Sequence, residues 1–223
     1  KIDNYVDELA PGVESIMLGG FVTPQVRAGI GDKFPVIYGV GYKRDGEGRI
    51  VVNEKGIPEA GETQVIGKVS PDFRLGFNTN IRLAAVFDWK QGGQMYSGTA
   101  GETNFYGTSK LSGEVRKSDK YHFDYAAVEQ KGVDADGKPI YVPYTGGVKG
   151  SDAEEYFKSV RGIDEAYVYD NSFLKLRELS LSYPVYKKDN LNVNVNVFAR
   201  NIIVWSEIKG FDPEATQGNN NMA

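Results

Sequence analysis

The chain of 223 residues contains no cysteine, which rules out disulfides and thiolate metal sites at once. It has one histidine, His122. A zinc site would therefore need carboxylates for its other protein ligands. A Ser-His-Asp triad would have to recruit the same imidazole, and no nucleophile-elbow sequence supports one. No run of 18 apolar residues occurs, so no transmembrane helix is possible, although the strands of a membrane barrel alternate and escape that test. Basic charge is scarce too. The 26 lysines and arginines against 30 aspartates and glutamates leave a net charge of −4, whereas a nucleic-acid binder shows a basic face. The start at Lys1-Ile2-Asp3 carries no charged segment followed by an apolar one, so no export signal is visible.

The remaining chemical candidates reduce to ordinary structure. Asp134-Ala135-Asp136-Gly137 has the first spacing of a calcium loop but lacks its distant glutamate, and reads as a hairpin turn. The glycine pairs at 92–93 and 146–147 have neither the lysine nor the strand-to-helix setting of a phosphate loop. Asp152, Glu154 and Glu155 resemble a paired-carboxylate site, yet acidic residues belong at a helix N-terminus, and Ser151-Asp152-Ala153-Glu154 reads as a capping box opening a helix to about Arg161. No acid, base and nucleophile converge. The reading is of a protein that is not an enzyme and holds no cofactor or metal.

Alternation is what the chain does have. In Leu191–Asn201, Leu191, Val193, Val195, Val197 and Ala199 share one face, while Asn192, Asn194, Asn196 and Arg200 share the other. A lipid-facing barrel strand has this pattern, and so does a half-buried soluble strand. A second hairpin is predicted upstream. There Phe73, Leu75 and Phe77 alternate with polar residues, and beyond a turn near Thr79-Asn80 so do Ile81, Leu83, Ala85, Phe87 and Trp89. In 172–183 the parity of the leucines changes between Leu176 and Leu179, which a β-bulge near Arg177-Glu178 would reconcile. Asp136-Gly137 turns a small hairpin with Ile140-Tyr141-Val142 as one arm.

Several blocks carry a resemblance. Phe173-Leu174-Lys175-Leu176-Arg177-Glu178-Leu179-Ser180-Leu181-Ser182-Tyr183-Pro184, Ala199-Arg200-Asn201-Ile202-Ile203-Val204-Trp205 and Gly210-Phe211-Asp212-Pro213-Glu214 resemble successive late-barrel elements of the SusC/RagA family of TonB-dependent outer-membrane transporters. Upstream, Tyr38-Gly39-Val40-Gly41-Tyr42-Lys43-Arg44-Asp45, Gly48-Arg49-Ile50-Val51-Val52-Asn53 and Gly56-Ile57-Pro58 resemble an extracellular loop of that family. Ile66–Phe73 and Phe87–Tyr96 follow in family order.

The resemblance implies an all-β fold, part of a large transmembrane antiparallel β-barrel, with four barrel strands, long extracellular loops and one short helix. Residues 1–68 would be an extracellular loop, 69–97 a hairpin, 98–169 a second extracellular loop, 170–205 a hairpin and 206–223 a truncated loop. The plug domain, the segment that TonB grips and the last barrel strand would lie outside these residues, making the chain a C-terminal-region fragment. The function implied is import of oligosaccharides or peptides across the outer membrane of a Bacteroidota-like Gram-negative bacterium. The partners would be a SusD-like surface lipoprotein, TonB through the missing N-terminal region, and outer-membrane lipid, with no nucleic acid. Tyr38, Tyr42, Tyr96, Tyr141, Tyr144, Tyr167 and Trp205 fall in or beside loops and are the candidate substrate or partner contacts, because such rings offer flat apolar faces with a polar handle. The competing reading is a soluble β-rich glycan-binding or adhesin module, for which seven or more short, evenly spaced strands are expected.

Overall fold

A computed structural model describes residues 4–20, 22–80, 83–189, 191–208 and 212–215. In chain order the elements are β1 (Ser15–Gly20), β2 (Gln25–Gly29), β3 (Val36–Tyr42), β4 (Ile50–Val52), β5 (Ala60–Lys68), β6 (Phe73–Asn80), β7 (Leu83–Gln91) and β8 (Gln94–Tyr96). Then come α1 (Gly98–Phe105), α2 (Lys110–Lys117), β9 (Ala127–Val133), β10 (Pro139–Pro143), α3 (Ala153–Val160), β11 (Val168–Asp170), β12 (Phe173–Lys188) and β13 (Leu191–Ser206). The chain is mostly β, in several sheets.

The long sheet has the order β13-β12-β7-β6, antiparallel throughout. Its register puts Leu75 and Leu174 opposite Trp89, Phe77 and Leu176 opposite Phe87, and Leu179 opposite both Ala85 and Ala199. Continuing along the sheet, Leu181 lies opposite Leu83 and Val197. The alternating residues thus form one apolar face, and it is largely uncovered: Phe77 is 59% exposed and Val197 64%. The sheet is open along β6 and β13 and does not close into a barrel among the described residues.

The parity change in β12 has the expected cause. Between Leu176 and Glu178 the register shifts against β7, where Phe87 and Val86 are consecutive, so Arg177 is the extra residue. Strand β13 adds a further residue at the same level, and there Asn201 has φ +51, a left-handed conformation that asparagine tolerates better than most residues. At the far end Lys188 pairs with Leu191, and Asp189, with φ +46, begins the tight turn. The turn of the first hairpin lies later than the sequence indicated. Thr79 and Asn80 are paired strand residues, opposite Ala85 and Ala84. Ile81 and Arg82 fall outside the described residues.

The two segments expected as separate loops fold into one body. Strands β1-β2-β3-β5 form an antiparallel sheet, and β4 pairs parallel with β9 beside β10. The core joins Val26 and Ile57 from the first segment to Val115, Val148, Tyr156, Phe157, Val160 and Tyr167 from the second. Strand β4 is apolar and fully buried, which only a neighbour 70 or more residues away can arrange.

Three α-helices are present among the described residues, where the sequence indicated one. Helices α1 and α2 are short and carry Gly98, Gly101 and Gly113, so propensity does not announce them. Serine caps start them: Ser97 Oγ accepts the Ala100 N–H at 3.1 Å and Ser109 Oγ accepts the Ser112 N–H at 3.0 Å. Helix α3 lies where it was expected, but its start differs. A 3₁₀ turn over Gly150–Asp152 leads in, Asp152 is the capping residue, and it makes no side-chain cap bond.

Candidate functional site

Two features carry the architecture: the docking of the loop body along β3, and a charge cluster on the polar face of the long sheet. Strand β2 covers β3 only as far as Tyr38, which leaves later amides of β3 without a strand partner on that side. Carboxylates from the 3₁₀ turn Asp164–Tyr167 replace the missing strand. Asp164 Oδ2 accepts the Val40 N–H at 2.8 Å, and Glu165 Oε2 accepts the Tyr42 N–H at 2.7 Å while also meeting Arg44. The glycines of Tyr38-Gly39-Val40-Gly41-Tyr42 make room. A Cβ on Gly39 would lie 2.8 Å from Asp164 Oδ2, and one on Gly41 would crowd Gln64 Nε2 and lie 3.1 Å from Glu165 Oε2. Burial raises the Asp164 carboxyl above the ordinary aspartate range, with the Val40 N–H opposing it.

The other sequence blocks of this body are also turn chemistry. Asp45 Oδ1 accepts the Glu47 and Arg49 N–H groups, and Asn53 Oδ1 accepts those of Lys55 and Ile57. Asp134 Oδ1 is spent in the same way on Asp136 and Lys138, and no metal-holding cluster occurs among the described residues. The acidic helix start is not a carboxylate pair. Glu154 meets Lys158 at 2.6 Å and Glu155 meets Lys55 at 2.6 Å. His122 is exposed.

The tyrosines divide. Tyr96 and Tyr167 are core residues, 3% and 1% exposed, so their rings pack the loop body and present no face to a ligand. Burial pushes the Tyr167 hydroxyl up to about 12. Tyr144 is half-buried, and its hydroxyl donates to the Gly147 carbonyl at 3.0 Å, closing a turn. Tyr38 lies under the Arg27 guanidinium at 4.6 Å, and Tyr141 is half-buried on β10. Tyr42 packs against Tyr125 with ring centroids 6.2 Å apart, and burial raises its hydroxyl well above the usual value. Beyond it runs a stack that sequence reasoning missed. Tyr125 and Phe123 lie 5.8 Å apart, and Phe123 and Tyr156 4.4 Å apart. The alternating Tyr121, Phe123 and Tyr125 were its only signal. Trp205 is half exposed on the apolar face of the long sheet, with Leu174 between it and Trp89 in the register.

On the opposite face, Asp88 of β7 accepts from Arg74 of β6 at 2.8 Å and from Arg177 of β12 at 2.5 Å. The segment after β13 folds back onto this cluster: Glu214 meets Arg177 at 2.7 Å and Lys175 at 2.6 Å, and Asp212 meets Lys175 at 2.7 Å. Asp-Pro-Glu is therefore an anchor, with Pro213 buried between its two carboxylates. Gly210 and Phe211 of the same block lie outside the described residues.

No protein-family model matches the chain. Among curated proteins, "TonB-dependent receptor P3" of Formosa agariphila is 25% identical over 182 residues, which is 79% of this chain and 15% of that protein. Among solved structures, the RagAB peptide transporter matches 98% of this chain with TM-score 0.58 at 19% identity. The RagAB peptide importer in its closed-closed state matches 96% with TM-score 0.55 at 20% identity. The chain spans 24% and 23% of those two chains, respectively. The proteins it matches are receptors and transporters, not enzymes. The chain is thus similar in sequence to a TonB-dependent receptor and in fold to the RagAB structures, in line with the resemblance its ordered motifs carry.

Proposed function

We propose that the chain is part of an outer-membrane TonB-dependent importer for oligosaccharides or peptides. The long sheet is its membrane wall, and the loop body is its outward surface. The observation that supports this most is the continuous apolar face of β6, β7, β12 and β13, opposite a face that carries the charge cluster. A soluble β-rich adhesin or glycan-binding module has no use for strands of 16 residues with an uncovered apolar side.

Aromatic residues mark both ends of that face. Phe73 packs edge-on against Trp89 at 4.9 Å near Trp205, and Tyr183 and Tyr186 stand at the other end. Leu174 to Tyr183 covers about 30 Å of strand at ~3.3 Å per residue. A tilt of ~45° brings this to about 21 Å, close to the lipid-facing band of ~25 Å between aromatic girdles. In this reading Trp205 contacts lipid rather than substrate. The full-length protein should fractionate with the outer membrane and shift its gel mobility on boiling. A soluble product without that shift would return the adhesin reading.

Within the importer, the partner is a SusD-like surface lipoprotein seated on the loop body, and TonB engages a part of the protein outside these residues. Helix α3 buries Tyr156, Phe157 and Val160 in the core, so deleting it would collapse the body rather than remove one contact. The better probe is Tyr106. It is 72% exposed and packs edge-on against the partly exposed Phe105 at the end of α1, and large exposed aromatics are typical interface anchors. Tyr106→Ala should leave assembly unchanged and lower the lipoprotein recovered by affinity purification about tenfold. Undiminished recovery counts against this surface.

A further inference from the structure

The charge cluster leaves one cation over. Among the described residues, Asp88, Asp212 and Glu214 neutralise Arg74, Lys175 and Arg177, while Lys90, on the same face of the sheet, has no ion pair. Its ammonium lies 5.9 Å over the Phe173 ring, whose centre is 5.2 Å from the ammonium of Lys175. Glu214 and Asp170 are within electrostatic reach, but neither forms an ion pair with Lys90. Glu214 is paired with Lys175 and Arg177, and Asp170 accepts the Ser172 N–H at 2.7 Å.

Lys90 lines a recess of about 370 Å³ between the linker from β5 to β6, the start of β12 and the Asp-Pro-Glu anchor. Asn171 lines the same recess. It is 1% exposed, and its Oδ1 has no hydrogen-bond partner. A buried acceptor left unpaired is costly, and a free cation beside it is the complement of a carboxylate. The other lining residues are the apolar Val69, Pro71, Phe173 and Pro213 and the polar Ser70, Arg74 and Glu214, the last two engaged in the charge cluster.

We propose that this recess is a subsite for the C-terminal residue of a peptide, its carboxylate paired with Lys90 and its amide N–H directed to Asn171 Oδ1. The proposal rests on the importer reading and narrows its substrate class. A terminal residue places a carboxylate and an N–H on the same Cα, which is the pairing of groups the recess offers. Its volume lies at the small end of ligand pockets, as a subsite for one end of a longer ligand would.

The test uses the full-length protein, purified in detergent, with two pairs of probes. The first is hexa-alanine with a free C-terminus and its C-terminal amide. The second is trigalacturonate and its methyl ester. Calorimetry on the wild type should show the free-acid peptide binding at least tenfold more tightly than the amide. Lys90→Met should erase that preference, and Lys90→Arg should retain most of it. Preference for trigalacturonate over its ester, with none within the peptide pair, would overturn the peptide assignment. No preference in either pair, or no binding by a protein that fractionates with the outer membrane, would overturn the subsite and leave the importer standing. Failure to fractionate there would sink both.

Discussion

Gly39→Val should release the 3₁₀ turn at Asp164–Tyr167 from β3 and destabilise the loop body by about 3 kcal/mol. The new Cβ would fall 2.8 Å from Asp164 Oδ2 and 2.9 Å from Asp164 Cβ, so the turn must move. Movement breaks the bonds to the Val40 and Tyr42 amides, and hydrogen bonds to charged groups contribute roughly 1.5–3 kcal/mol each. Movement of the turn relieves the overpacking, which would otherwise cost roughly 1–3 kcal/mol, so the expected loss is that of the two bonds at the low end of their range. Hydrogen exchange is the measurement. Protection at Val40 and Tyr42 should fall by about two orders of magnitude, since each 1.4 kcal/mol is a factor of ten, while the amides paired between β12 and β13 keep theirs. Unchanged protection at Val40 would mean that the carboxylates do not hold this edge.

Lys175→Met should detach the segment that follows β13. The Lys175 side chain is 7% exposed and is held between Asp212 and Glu214, so methionine keeps the volume and deletes the one charge facing both. Breaking a buried pair costs roughly 3–5 kcal/mol. Asp212 is 59% exposed and water screens part of its share, which brings the expected loss of anchoring to about 2 kcal/mol. The absence of cysteine makes the readout clean: Ala215→Cys gives this chain a single thiol for a nitroxide. The label should be restrained in the native background and mobile with Lys175→Met.

The same label reports a pH dependence. The Lys175 ammonium holds the Asp212 carboxyl below the ordinary aspartate range. At Glu214 burial pushes upward, but Arg177 and Lys175 outweigh it and the carboxyl is again held low. Both folded-state values are depressed, so the anchoring is fully present above the ordinary carboxylate range and is lost as pH falls through the lowered values. The label should stay restrained from neutral pH down to about pH 5 and loosen on the way to about pH 3. A label equally mobile at neutral pH, or unchanged by Lys175→Met, would remove the anchor from the account.

Much of the long sheet was legible because its information is local. Period two in Leu191–Ala199 and Phe73–Phe77 depends only on neighbours along the chain, and so does the parity break that located the bulge at Arg177. Tight-turn signals at Asp45 and Asp134 are local as well. The candidate site was read less well. Tyr96 and Tyr167 sit in stretches that read as loop, and only the packing of helices and strands distant in sequence turned them into core. Lys90 and Asn171 are 81 positions apart and carry no motif.

From its own residues the sequence determined that this chain is built of alternating strands with an apolar and a polar face, and that it carries no thiol. Side-chain alternation needs nothing but the strand's geometry to sort those faces. Only the tertiary structure decided that two long loops are one folded body, that Asp164 and Glu165 complete the edge of β3, and that Asp212 and Glu214 close over Lys175. Each of those contacts joins residues from 37 to 124 positions apart, and no periodicity extends that far. Their partners are chosen by burial and charge once the chain has come together.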